Sequence, residues 1–118
     1  MPEPLDRVAL DDLRALTGGD PTLYAELLDA FLTDADQYLA ELETAPDSAA
    51  LRRAAHSLKS NAMNVGATSL AELCQALEAD LTAGAVPDAP ARVDAIRHEL
   101  TAVCEAVGRE RERAGHAD

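Results

Sequence analysis

Residues 55–78 read AHSLKSNAMNVGATSLAELCQALE, and the way this stretch divides decides the fold. Up to Gly66 the apolar positions Leu51, Ala55, Leu58, Ala62 and Val65 recur at helical spacing. Beyond it Leu70, Leu73, Cys74, Leu77 and Leu81 do the same. Gly66 is a stop signal for the first run. The SLAE segment after it, with Ser69 and Glu72, has the form of a capping box that opens the second. Two amphipathic helices joined by so short a turn fold back on each other.

Working upstream, LTGGDPTLYAELLDAFL supplies a further helix start. Asp20 fits an N-cap and Pro21 the first turn, where no amide donor is needed. Tyr24, Leu27, Leu28, Phe31, Leu32, Tyr38, Leu39 and Leu42 then follow at helical spacing, until Pro46 forces Ala45 out of the α region. Asp47 or Ser48 caps the helix that carries Leu51. A short leading helix over about residues 6–16 ends at Gly18–Gly19. Downstream, Gly84 to Pro90 reads as a turn, and Val93, Ile96, Leu100, Val103, Cys104 and Val107 mark a last helix of near-heptad spacing. The terminal RERERAGHAD, residues 109–118, is expected to fray as a polar tail.

Short loops between long helices predict an all-α fold, an antiparallel up-and-down four-helix bundle with a short additional N-terminal helix. The 118 residues are expected to form one domain, with a core over about 6–108. Composition agrees: 47 % of residues are hydrophobic but only 3 % aromatic, and an Ala- and Leu-rich chain favours helices over sheets. No apolar run approaches the roughly 20 residues of a membrane span, and MPEPLDR has no signal-peptide character. A cytoplasmic, stand-alone protein is the expectation.

The formal net charge of −12 argues against nucleic acid and anionic membranes as partners. Cys74 and Cys104 read as packed thiols about six residues out of register in the bundle, roughly 9 Å of helix rise and too far for a bridge. No metal site is expected: the residues three before the histidines are Arg53, Ala95 and Arg113, so no Glu-x-x-His pair exists. Nucleotide-binding loops and nucleophile elbows are missing too, which excludes an ordinary enzyme.

One residue of the opening stretch does not fit a core. At about 100° per residue, His56 lies roughly 150° from the middle of the arc formed by Leu51, Ala55, Leu58, Ala62 and Val65. It therefore faces solvent, with Arg52, Lys59, Ser60 and Met63 on its side. From Ser48 to Ala71 there is no Asp or Glu, whereas Arg52, Arg53 and Lys59 are basic. A histidine within a positive island, on a strongly acidic chain, suits an arriving phosphate. His98 and His116 read as ordinary surface residues.

These residues resemble the signature of histidine-containing phosphotransfer (HPt) domains. The match consists of His56, Leu58, Lys59, the small Ser60, Gly66, Leu70, Cys74, Leu77 and Glu78, and the segment LTGGDPTLYAELLDAFL is similar to the family's second helix and its lead-in. The resemblance implies a phosphorelay carrier that takes a phosphoryl group on His56 from a receiver aspartate and passes it to another. It further implies Lys59 as neutraliser of phosphoryl charge and Glu78, or Gln75 as the alternative, as the group that orients the imidazole. Ser60 stands where the family commonly has Gly and lets a receiver loop approach. Arg52, Arg53, Ser60 and Met63 are the expected partner-binding residues, with Val8 or Leu13 of the leading helix beside them.

Receiver domains and a sensor or hybrid histidine kinase are the implied partners. The chain is expected to need no cofactor, Mg²⁺ being held by the receiver, and to act as a monomer without nucleic acid or membrane. The competing reading is a degenerate helical module that binds a receiver or kinase without carrying phosphate.

Overall fold

The computed structural model describes residues 3–84 and 86–115, and these form five helices and no strand. They are α1 (Arg7–Leu16), α2 (Pro21–Thr44), α3 (Ser48–Asn64), α4 (Thr68–Ala83) and α5 (Ala89–Gly115). Among the described residues α2 packs on α3 and α5, α4 packs on the same two, and α1 touches α2 and α3. The four long helices thus close a ring of contacts, with α1 laid against one side.

Local chemistry explains most boundaries. Asp6, Asp20 and Asp47 cap α1, α2 and α3 with side-chain bonds to backbone amides of the first turn. Of the two candidates for the start of α3 it is therefore Asp47 that caps. Pro21 occupies the first turn of α2, and Ala45 before Pro46 takes an extended ψ of 124° that ends it. Gly66 turns the chain between α3 and α4 at φ +70°. A Cβ there would come within 2.7 Å of the Ala9 Cβ and 2.9 Å of the Asp6 Cβ, so this turn also seats α1. The seat is fixed by a hydrogen bond from the Asp6 amide to the Gly66 carbonyl, at 2.9 Å.

Three boundaries differ from expectation. The capping box does not form: α4 starts at Thr68, and its N-cap residue Ala67 offers no side chain. With the helix begun earlier, Ser69 already lies inside the first turn and has lost the N-cap position. Pro90 belongs to α5, whose first turn starts at Ala89, again where a missing amide costs nothing. The largest departure is the C-terminus. Residues 109–115 do not fray but continue α5 as helix, so the core extends past residue 108; residues 116–118, His116 included, lie outside the described residues.

The cause is a buried stripe that continues through Val103, Val107, Glu110 and Ala114. Glu110 is charged yet only 4 % exposed. Its two oxygens accept from Arg7 at 3.0 and 2.8 Å, from the Tyr24 hydroxyl at 3.1 Å and from Arg113 at 2.8 Å. Four donors from α1, α2 and α5 satisfy the carboxylate, which makes its burial tolerable. Tyr24 is itself fully buried, and burial pushes its hydroxyl pKa up to about 12.

The remaining core follows the helical spacing: Leu28, Phe31, Ala35 and Leu42 of α2, Leu51, Ala55, Leu58 and Ala62 of α3, Leu70, Cys74 and Leu77 of α4, and Val93, Ile96, Leu100 and Val103 of α5. Leu27 departs from it and is exposed. Both cysteines are free, Cys74 buried and Cys104 half-buried. No helix among the described residues is long and apolar enough to cross a membrane.

Candidate functional site

The site is assembled across the α3–α4 turn. His56 and Glu78 stand 22 residues apart with Ala67 midway between them, so two helices folded back about that turn bring the two side chains level. On α3, Ala54, Ala55 and Leu58 are buried, and His56 projects from the opposite side with 58 % of its side chain exposed.

His56 Nδ1 lies 2.8 Å from Glu78 Oε2, and Lys59 Nζ donates to Glu78 Oε1 at 3.0 Å. One carboxylate thus bridges the ring and the ammonium. The hydrogen bond from Lys59 holds the Glu78 pKa below its ordinary value despite some desolvation, with the bond to His56 acting in the same direction. An ionised carboxylate only accepts, so Nδ1 is the donor in this bond, and Nε2 makes no hydrogen bond among the described residues. Gln75, the alternative partner, is exposed, and the ring's bond goes to Glu78.

The geometry puts a half-buried carboxylate and ammonium beneath an exposed imidazole. Glu78 and Lys59 side chains are each only 20 % exposed, so both are fixed by packing, while the ring above them is open. Asn61 adds rigidity by donating to the Phe31 carbonyl of α2.

Similarity to known proteins bears on what such a site serves. The Hpt domain family model matches residues 26–106, which span both helices of the site. The chain belongs to the Hpt domain family. The crystal structure of histidine-containing phosphotransfer protein B (HptB) from Pseudomonas aeruginosa PAO1 is similar over 96 % of this chain and 98 % of that one, with a TM-score of 0.86 and 33 % sequence identity. A search of curated proteins finds no match. Together these establish the fold as that of an Hpt domain and the function as histidine phosphotransfer in a phosphorelay, in which such domains meet receivers and kinases.

Around His56, Arg52, Arg53, Ser60 and Met63 are all exposed. Neither Arg52 nor Arg53 joins an ion pair among the described residues, so both charges remain available. Met63 is 63 % exposed and Val8 of α1 is 66 % exposed. Leu13 packs partly buried against the core, so of the two expected α1 contacts Val8 is the exposed one. Leu16, Leu23 and Leu27 are exposed as well, and like Val8 and Met63 they sit on α1, the start of α2 and the end of α3.

Sequence reasoning missed two contacts. The Lys59–Glu78 pair was legible in principle, since a lysine one turn after the histidine lies on the same helix face. The cluster at Glu110 could have been found from Val107 three residues earlier, which puts an acid in register with the core stripe.

Proposed function

We propose that His56 is the residue that carries the phosphoryl group, and that the bridge from His56 through Glu78 to Lys59 tunes it. The observation that carries this reading is the 2.8 Å contact at Nδ1 on an exposed ring, which leaves Nε2 as the nitrogen without a hydrogen bond among the described residues.

In the forward step the Nε2 lone pair forms a P–N bond as the P–O bond to a receiver aspartate breaks, and the aspartate leaves as a carboxylate. Nδ1 keeps its proton, so the ring becomes a phosphoimidazolium whose positive charge faces the Glu78 carboxylate. In the return step the P–N bond breaks towards a second aspartate, and a neutral imidazole departs. Transfer of this kind relies on positioning and charge neutralisation. Lys59 spends one of its three N–H donors on Glu78, leaving two for phosphoryl oxygens. Mg²⁺ belongs to the receiver's acidic pocket in this scheme, and the chain itself supplies none.

Partner docking is assigned to Arg52, Arg53, Ser60, Met63 and Val8, a positive and partly apolar face suited to an acidic receiver mouth. The reading includes an antiparallel up-and-down arrangement of α2–α5. It is supported by the closed ring of helix contacts and by loops of only a few residues. A monomer in the cytoplasm, without kinase activity of its own and supplied by a separate sensor or hybrid kinase, completes the proposal.

The test is phosphorylation of His56→Gln by a radiolabelled phospho-receiver. No label is expected on the variant, while the wild type gains an acid-labile, base-stable phosphohistidine. A variant that binds the receiver, with a wild type that never takes label, would indicate an interaction module that carries no phosphate.

A further inference from the structure

Away from the His56 face, a cleft of about 940 Å³ opens between α1 and the last turns of α5. Arg7 and Arg14 line it from α1, and Arg109 and Arg113 from α5. These are four of the chain's ten basic residues, gathered in one place on a protein of net charge −12. Nothing in the phosphotransfer scheme uses them.

The floor is the Glu110 carboxylate, whose side chain is 5 % exposed. It fixes the guanidiniums of Arg7 and Arg113 and cancels only one of their two charges. Arg14 is held over the Tyr24 ring, 5.6 Å from its centre. Neither Arg14 nor Arg109 pairs with a carboxylate among the described residues. Opposing charge comes from Glu3 and Glu112, which also line the cleft, and from Asp11, 3.8 Å from Arg7; all three are exposed. Exposed pairs of this kind are weak and yield to a multiply charged competitor.

We propose that this cleft binds a small anion bearing at least two phosphoryl groups, gripped by Arg14 and Arg109 and framed by Arg7 and Arg113. Planar guanidinium forks match phosphate oxygens two at a time. The buried carboxylate beneath them pre-orients two forks before the ligand arrives, which lowers the ordering cost of binding. The volume lies in the range of about 300–1,000 Å³ usual for small-molecule sites, larger than one inorganic ion needs. Because two arginines ride on α1 and two on α5, occupancy ties α1 more firmly to the rest of the molecule.

The full chain is titrated with inorganic pyrophosphate, with orthophosphate as the single-phosphoryl comparison, while backbone amide NMR shifts and the melting temperature are followed. Saturable shifts are expected in α1 and the end of α5, tighter for pyrophosphate and weakened by added salt. The melting temperature should rise with ligand. Arg14→Ala/Arg109→Ala should weaken binding about tenfold or more, a loss of two charge-assisted contacts, while Arg92→Ala leaves it intact. Arg109→Gln alone, at an exposed position, gives a smaller loss of the same sign and serves if the double variant folds poorly. The proposal is overturned if no saturable shift occurs at low ionic strength, if shifts centre on His56, or if the Arg14 and Arg109 variants bind as tightly as wild type.

Discussion

Two glutamates of this molecule do the same thing to opposite ends. Glu78 is shared by Lys59 and His56 on an open face, and Glu110 is shared by Arg7, Arg113 and Tyr24 under cover. Hydrogen bonds from the cations hold both carboxyls below their ordinary pKa: from Lys59 for Glu78, from Arg7 for Glu110. What separates them is the partner. Every donor to Glu110 stays charged or protonated across the physiological range, so the cluster has one state and can only hold α1, α2 and α5 together. Glu78 faces an imidazole with a second, unbonded nitrogen, and that nitrogen is open to another protein. In the proposed scheme this is what makes Glu78 part of the transfer site and Glu110 a brace.

The comparison breaks most sharply at His56. Replacing it with Gln should remove phosphorylation completely while changing stability by no more than about 0.5 kcal/mol, since an exposed side chain supports little packing. Parallel radiolabel transfer and thermal melts check both halves. A large loss of stability would put the ring in the core and erase the distinction between the two sites.

Glu110→Ala should give the reverse result. Removing one partner of a buried, multiply bonded ion cluster strands the others, at a cost of about 2–4 kcal/mol, while transfer by the folded fraction stays near wild type. Acid sharpens the point. Because the folded-state pKa of Glu110 is depressed, the unfolded chain binds the proton more readily, and the contribution is full only above the unfolded value of about 4.3. Stability should therefore fall as pH drops below that value and through the folded pKa. Glu78 adds a smaller, solvent-screened share of the same sign. Urea titrations between neutral pH and pH 3 should show a shallower slope for Glu110→Gln than for wild type.

The two regions also differ in how far the sequence discloses them. His56 is readable because a single wheel puts it opposite Leu51, Ala55, Leu58 and Ala62, whereas for its partner the family resemblance narrows the choice to Glu78 or Gln75 on the adjacent helix and leaves the side open. Both readings stay within two adjacent helices, and the 2.8 Å contact selects Glu78. The Glu110 cluster joins residues 86 and 103 positions apart, and no periodicity within one helix announces such a partner. A run such as RERER has the composition of a solvated tail, and four of its five residues are indeed exposed; only the arrival of Arg7 and Tyr24 gives Glu110 a buried place in it. The capping box failed for a related reason: a four-residue pattern carries no information on where the preceding turn delivers the chain.

Smaller effects probe the open site itself. Glu78→Gln keeps a hydrogen-bond acceptor for Nδ1 but removes the charge that balances the phosphoimidazolium, and it releases Lys59. Transfer should slow about 10- to 100-fold, by analogy with metal-bound histidines that lose the partner of their other ring nitrogen. Stability should change little. Lys59→Ala should slow transfer less than Glu78→Gln while leaving receiver docking intact, measurable as an unchanged dissociation constant; an unchanged rate would remove the lysine from the mechanism.

The least effect is expected at Ser60, and its smallness is informative. The residue lies one turn beyond His56 on the same exposed side, where the proposed docking brings a receiver loop close to the ring. Ser60→Gly removes two heavy atoms from that path and should leave the transfer rate within about twofold, offset only by the modest helix penalty of glycine, about 0.5 kcal/mol relative to serine. Ser60→Leu adds bulk at the same point without touching Glu78 or Lys59. If close approach governs docking, receiver affinity falls while the phosphohistidine, once formed, is as stable as wild type. A leucine variant that docks and transfers normally would show that the receiver reaches Nε2 from another side, along the face of Arg52 and Arg53.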